Sequence, residues 1–143
     1  IPMALAQALL CYLVAGLLGM QLTANVLLAI LVSLPAAALF IGIGLLCGSV
    51  FNDKQVGGIC GALLTNLSAW LSGTWFDLDL VGGAFKKIAY ALPFAHAVDA
   101  GRAAMSGEFA AIMPHLWWVI GYAVVALVAA VLVFRKKMLR DNG

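Results

Sequence analysis

Charge is scarce in this sequence. Asp, Glu, Lys and Arg together make up 10% of its 143 residues, whereas a typical soluble domain carries about 25%. With hydrophobic side chains at 65% and a mean hydropathy of +1.09, too little polar surface exists to cover a globule in water. Lipid must be the solvent over most of the length. Acidic residues are missing from every long apolar run: Asp53, Asp77, Asp79, Asp99, Glu108 and Asp141 all lie between or beyond them. That placement counts against secondary transport coupled through buried acids. There is no G-x-x-x-x-G-K-[ST] loop to cradle phosphates, so ATP is not hydrolysed by these residues. No serine stands in a G-x-S-x-G setting, and Ser106 lies too far along a helix from His96 to be paired with it as nucleophile and base. Cys11, Cys47 and Cys60 never form C-x-x-C and read as small buried hydrophobes. No basic run interleaved with aromatics marks a nucleic-acid surface. The Ile1-Pro2-Met3 start lacks the basic region of a secretory signal and reads as the beginning of a fragment.

What is present is apolar runs of membrane length. Residues 3–22, 26–51, 57–76 and 114–134 each approach or exceed the roughly 20 residues needed to cross a bilayer core. The expected fold is an all-α integral membrane protein, one domain over residues 1–143 with four transmembrane helices. Pro35 should kink the second helix. Asn52-Asp53-Lys54-Gln55 reads as a tight polar connection that makes the second and third helices antiparallel neighbours, and Gly44-x-x-x-Gly48 with Gly57-x-x-x-Gly61 would let their backbones approach. Asn66, near the middle of the third run, needs a partner on a neighbouring helix or along a hydrated path.

Between the last two runs, residues 77–113 mix charges, glycines and a proline. Phe85, Ile88, Ala89 and Leu92 recur at helical spacing opposite Lys86, Lys87 and Tyr90, which predicts a short amphipathic helix. Pro93 ends it and opens another, running to about Met105 with Gly107 as a left-handed cap. On that second helix His96, Asp99, Arg102 and Ser106 form a polar stripe against Phe94, Val98, Gly101 and Met105. His96, Asp99 and His115 make a poor metal set, because two ligands at three-residue spacing need a third from another element and a solvated stripe is the simpler reading. Trp70, Trp75, Phe76, Trp117 and Trp118 border the segment as interfacial aromatics do.

Arg135, Lys136, Lys137 and Arg140 crowd the end of the last run, which sets that end in the cytoplasm by the positive-inside bias. Four crossings then put the other terminus there as well. The count is five basic residues inside (with Lys54) against Lys86, Lys87 and Arg102 outside. The pair of short helices therefore faces outward, placed to re-enter the membrane from outside.

Leu71-Ser72-Gly73-Thr74-Trp75-Phe76-Asp77, followed by Ile88-Ala89-Tyr90-Ala91-Leu92-Pro93-Phe94-Ala95-His96-Ala97-Val98-Asp99-Ala100-Gly101-Arg102, resembles the permease domain of ABC-2 type transporters. In that family a Ser-Gly step ends the fifth helix, and a proline-centred segment precedes a helix with a basic residue and a glycine. Ser72, Gly73, Pro93, Arg102 and Gly107 take those places. The resemblance implies that the runs are the third to sixth helices of a six-helix permease, without the first two helices and the coupling segment that follows them. It further implies a translocation pathway with no enzymatic activity or cofactor of its own. A separate ATP-binding-cassette ATPase would power it, with a second permease protomer, identical or different, completing the pathway in a prokaryotic plasma membrane. Asn66, Ser72, Gly73, Pro93, His96, Asp99 and Arg102 are the candidates for pathway lining or an outer gate. A channel, part of a secondary transporter or a structural membrane subunit is the alternative, and it gains if residues 77–113 form a loose loop.

Overall fold

A computed structural model describes residues 2–21 and 23–141, with the side chains of Arg140 and Asp141 outside the description. Among these residues every element is helical: α1 (Pro2–Leu17), α2 (Ala24–Val50), α3 (Asp53–Val56), a π-helical stretch (Gly57–Leu64), α4 (Thr65–Leu71), α5 (Leu78–Val81), α6 (Gly83–Ala91), α7 (Pro93–Ser106) and α8 (Phe109–Asp141). Two of them, α2 and α8, are long and apolar enough to cross a membrane.

The first run makes a shorter helix than its composition predicts. Gly19, at φ +101°, turns the chain back so that the Met20 amide bonds the Ala15 carbonyl at 3.0 Å, a closure open to glycine because it has no Cβ. α1 therefore has 16 residues, fewer than the roughly 20 of a full crossing; Leu22, the expected end of the run, lies outside the described residues. α2 continues through Pro35 for 27 residues.

Asn52–Gln55 is a helix start, not a connection. The Gln55 amide donates to the Asn52 side chain at 3.0 Å while the Gln55 side-chain oxygen accepts from the Asn52 amide at 3.2 Å. This reciprocal box satisfies donors left open in a first turn, and from it α3, the π stretch and α4 run on as one helix from Asp53 to Leu71. At the base of the hairpin the end of α2 touches α3. Beyond it the helices part. Gly44, Gly48, Gly57 and Gly61 have nothing within 4 Å of where a Cβ would stand, so the two glycine pairs do not form the expected contact.

The close contact lies between α2 and α8 instead. A Cβ on Gly42 would stand 3.1 Å from Ala126 Cβ and from the Leu127 amide nitrogen. The missing side chain is what allows the backbones to approach, as membrane helices require when dispersion supplies the attraction. α7 packs against both helices at one end, where Ala100, Ala103 and Ala104 meet Ala29 and Val32 of α2 and Ile112 of α8. Tyr12 brings α1 onto the same cluster, and Phe40 stacks on Phe94 at 5.8 Å between ring centres.

α2 and α8 run in the same direction. The start of α2 touches the end of α7, where Asn25 Nδ2 donates to the Met105 carbonyl at 3.1 Å. Its last residues, Ser49 and Val50, border the same cavity as Val133, Lys136 and Lys137 of α8. The Asp53–Leu71 helix returns toward α7, and a second cluster of Leu78, Ala89 and Ala95 seals that end beneath Phe76 and Phe85. α6 turns Phe85 and Ala89 inward but leaves Ile88 54% exposed.

Candidate functional site

α7 places the candidate residues, and its buried face differs from the sequence expectation. Pro93 is the first residue of the helix, where its lack of an amide hydrogen costs nothing. Gly107 closes the other end in the left-handed region, as expected. Between them Phe94, Ala95, His96, Ala100, Ala103 and Ala104 are buried. His96 is thus not on a solvated stripe: it is 7% exposed and sits between α6 and α8. The small alanines, not Val98 and Met105, form the tightly packed face. Helix periodicity predicted the helix but not its buried face: of Phe94, Val98, Gly101 and Met105 only Phe94 is buried, because the close approach of α2 and α8 selects the alanines on the side of His96.

Helices α6, α7 and α8 converge at His96. Its Nε2 lies 2.9 Å from the Tyr90 carbonyl of α6, and its Nδ1 lies 2.7 Å from Nδ1 of His115 on α8. A carbonyl can only accept, so His96 Nε2 carries a hydrogen. In a neutral ring Nδ1 is then bare and accepts from His115 Nδ1–H. Trp118, one turn beyond His115, stacks on the His96 ring at 5.2 Å and 4°. Tyr122 stacks on Trp118 and donates to the Ala91 carbonyl at 2.7 Å, tying α8 to the end of α6. Spacing of 115, 118 and 122 puts these three on one face of α8. That periodicity was the available signal for them, masked by the overall hydrophobicity of the run.

The network continues on the other side of α7. Tyr90 Oη donates to Asp99 Oδ2 at 2.8 Å, and Asp99 Oδ1 lies 3.7 Å from Arg102 Nη1. Arg102 Nη2 donates to the Gly73 carbonyl at 3.0 Å, crossing to the segment that follows α4. Next to Gly73, Ser72 is buried and its hydroxyl donates to the Ala69 carbonyl at 2.8 Å, with Thr74 Oγ1 2.5 Å away. Gly73, Thr74, Trp75, Phe76, Asp77 and Arg102 line a mostly polar pocket of about 330 Å³. Burial and the hydrogen bond to anionic Asp99 push the Tyr90 phenol up to about 12. Lys86 pairs with Asp79, whose carboxylate raises the lysine above its ordinary value.

Six of the seven candidates, Ser72, Gly73, Pro93, His96, Asp99 and Arg102, therefore belong to one assembly. Asn66 does not. Its Nδ2 donates to the Ala62 carbonyl of its own helix at 2.7 Å, and it borders a separate groove of about 400 Å³ with Gly58, Ala62, Leu67 and Trp70. The inter-helix partner expected for Asn66 is absent from the described residues; a carbonyl one turn back satisfies the amide instead. Nor do His96, Asp99 and His115 gather as ligands, since the two imidazoles bond each other while Asp99 is turned to Tyr90 and Arg102.

The profile of the ABC-2 type transporter family matches residues 1–106, from α1 through the whole of α7. The chain belongs to the ABC-2 type transporter family. Nodulation protein J of Rhizobium leguminosarum bv. viciae is 28% identical over 118 residues, covering 79% of this chain and 46% of that protein. The chain thus spans about half the length of that relative. No solved structure matches. The ABC-2 assignment makes this chain part of the membrane component of a transporter, distinct from the ATPase. The Ser72–Arg102 assembly lies within the matched region, whereas His115, Trp118 and Tyr122 lie beyond it.

Proposed function

We propose that the chain is the membrane-spanning permease part of an ATP-binding-cassette exporter, with α5, α6 and α7 as a closure over one end of its pathway. In this reading α1, α2, the Asp53–Leu71 helix and α8 are four crossings, residues 77–113 face outward, and both ends of the chain are cytoplasmic in a prokaryotic plasma membrane. A separate ATPase supplies the energy by favouring one of two pathway states, and a second permease protomer completes the pathway.

One observation carries the closure. The chain of hydrogen bonds and one ion pair from Gly73 through Arg102, Asp99, Tyr90 and His96 to His115 joins the end of the third apolar helix to the start of the last. A loose loop between two spans would need no such network. Polar groups that satisfy one another couple the elements they come from, so that these elements can move together. Elements coupled in this way can open and close, whereas a loop can only drift.

Purification of the full-length protein in detergent tests the assignment. A stoichiometric ATPase should accompany it, and the hydrolysis rate should change when the permease is removed. A membrane protein that purifies alone, and whose presence leaves hydrolysis by the candidate ATPase unchanged, would move a channel or structural subunit to the front.

A further inference from the structure

We propose that the groove between the end of α2 and the basic end of α8 is a binding site for one anionic phospholipid. The site lies at the opposite end of the molecule from the closure. It rests on the chain being embedded in a bilayer but not on the transport reading.

Two cavities meet there. The first, about 440 Å³, is floored by Gly44 and Gly48 and walled by Phe134 and Met138. The second, about 520 Å³, is lined by Val50, Val133 and Lys136. Ser49 and Lys137 border both, so the two are continuous. Gly44 and Gly48 stand one turn apart on the same face of α2 with open space where each Cβ would be. A bare strip of helix backbone is thus offered to something slender.

The chemistry is graded along the groove. Its deeper part, toward Gly44 and Phe134, is apolar and lies within the membrane-length stretches of both helices. At the border, Lys136 and Lys137 follow the long apolar run of α8 that ends at Phe134 and carry three donors each. The Ser49 hydroxyl hydrogen is taken by the Leu45 carbonyl at 2.7 Å, so recognition of a polar group falls to the lysines. The described ion pairs, Lys86–Asp79 and Arg102–Asp99, are both at the far end of the molecule. An apolar slot that opens onto two cations at the bilayer edge matches an acyl chain with a phosphate head. Basic pockets between transmembrane helices recognise anionic lipid in this way. A protein helix packed on Gly44 and Gly48 would satisfy the two lysines only by bringing an acidic group of its own, whereas an anionic phospholipid carries one by nature.

Native mass spectrometry of the full-length protein, delipidated and then offered defined lipids, tests the site. One phosphatidylglycerol per chain should survive activation that strips phosphatidylcholine. Lys136→Gln with Lys137→Gln should weaken that binding about tenfold. Gly48→Leu should weaken it similarly with every charge in place, and Gly44→Leu provides an independent second block. Glycerol phosphate alone should not compete. Equal retention of the two lipids would overturn the proposal whatever the variants do. Loss on removing the lysines with full retention in both leucine variants would show surface charge without a groove. Competition by glycerol phosphate would reduce the site to a phosphate site and exclude the lipid.

Discussion

Between His96 and His115 a single hydrogen lies between two ring nitrogens 2.7 Å apart, with the Tyr90 carbonyl fixing which way His96 faces. Replacing His115 by Ala leaves the buried His96 nitrogen without its partner, and an unsatisfied buried group of this kind costs about 1–3 kcal/mol. The full-length His115→Ala protein should therefore unfold at lower temperature, with the loss read by a thermal melt in detergent; an unchanged melt would remove the pair from the closure. Tyr90 makes a second prediction at this scale. Its phenol is raised from 10.0 to about 12, so the folded state favours the protonated form. That contribution is fully present below pH 10 and is lost as the pH rises through about 12. A spectroscopic titration of tyrosinate should show a late-ionising group that is missing from Tyr90→Phe, and Asp99→Asn should bring it down, because the new amide oxygen would accept the hydrogen bond without the charge. The sequence pointed to His96, Asp99 and Arg102 as a set. It could not pair them with Tyr90 and Gly73, because those partners come from other elements and no helical spacing encodes a contact between elements.

Among the helices, glycines that look alike in sequence have opposite roles. Gly42 and Gly44 are two residues apart on α2, yet a Cβ at the first would press on α8 backbone at 3.1 Å while at the second it would meet nothing. Gly42→Val should destabilise the protein by about 1–3 kcal/mol through forced separation of α2 and α8. Gly44→Ala should be neutral or stabilise by up to about 1 kcal/mol, since alanine is the better helix former. Comparing the two melts decides whether α2 and α8 meet where the structure has them. The G-x-x-x-G pattern had suggested a contact between α2 and the Asp53–Leu71 helix. It identified bare backbone correctly and the neighbour incorrectly, since spacing on one helix says which residues share a face and nothing about what covers it. The start of that third helix was legible in Asn52 and Gln55, whose types and spacing are those of a capping box; their polarity made them look like a loop.

For the whole molecule, the direction of each helix has a consequence that can be read from outside. If α2 and α8 descend together and the Asp53–Leu71 helix climbs back, Lys54 and Lys137 face one aqueous side and Lys86 the other. Single cysteines placed at these three positions in a variant lacking Cys11, Cys47 and Cys60 should react accordingly with a membrane-impermeant thiol reagent in sealed vesicles. Labelling of the position 54 and position 86 variants from the same side would rule out the four-crossing arrangement.

The all-helical class, membrane solvent and family resemblance were determined by the sequence alone, because scarce charge, long apolar runs and the ordered Ser72 to Arg102 motif are properties of the chain itself. So were the break at Pro93 and the cap at Gly107, which depend on backbone freedom at single residues. Tertiary structure alone decided that α7 packs on both α2 and α8, that His96 is buried against His115, that Asn66 stands apart from the other candidates, and that the end of α2 and the basic end of α8 enclose a groove. Each of these depends on which faces meet, and in a chain apolar almost all the way round, hydrophobicity marks too many faces as eligible. Shape made the choice: the absent side chain of Gly42 and the alanines of α7 fit where larger residues would not, and the remaining contacts follow from that fit.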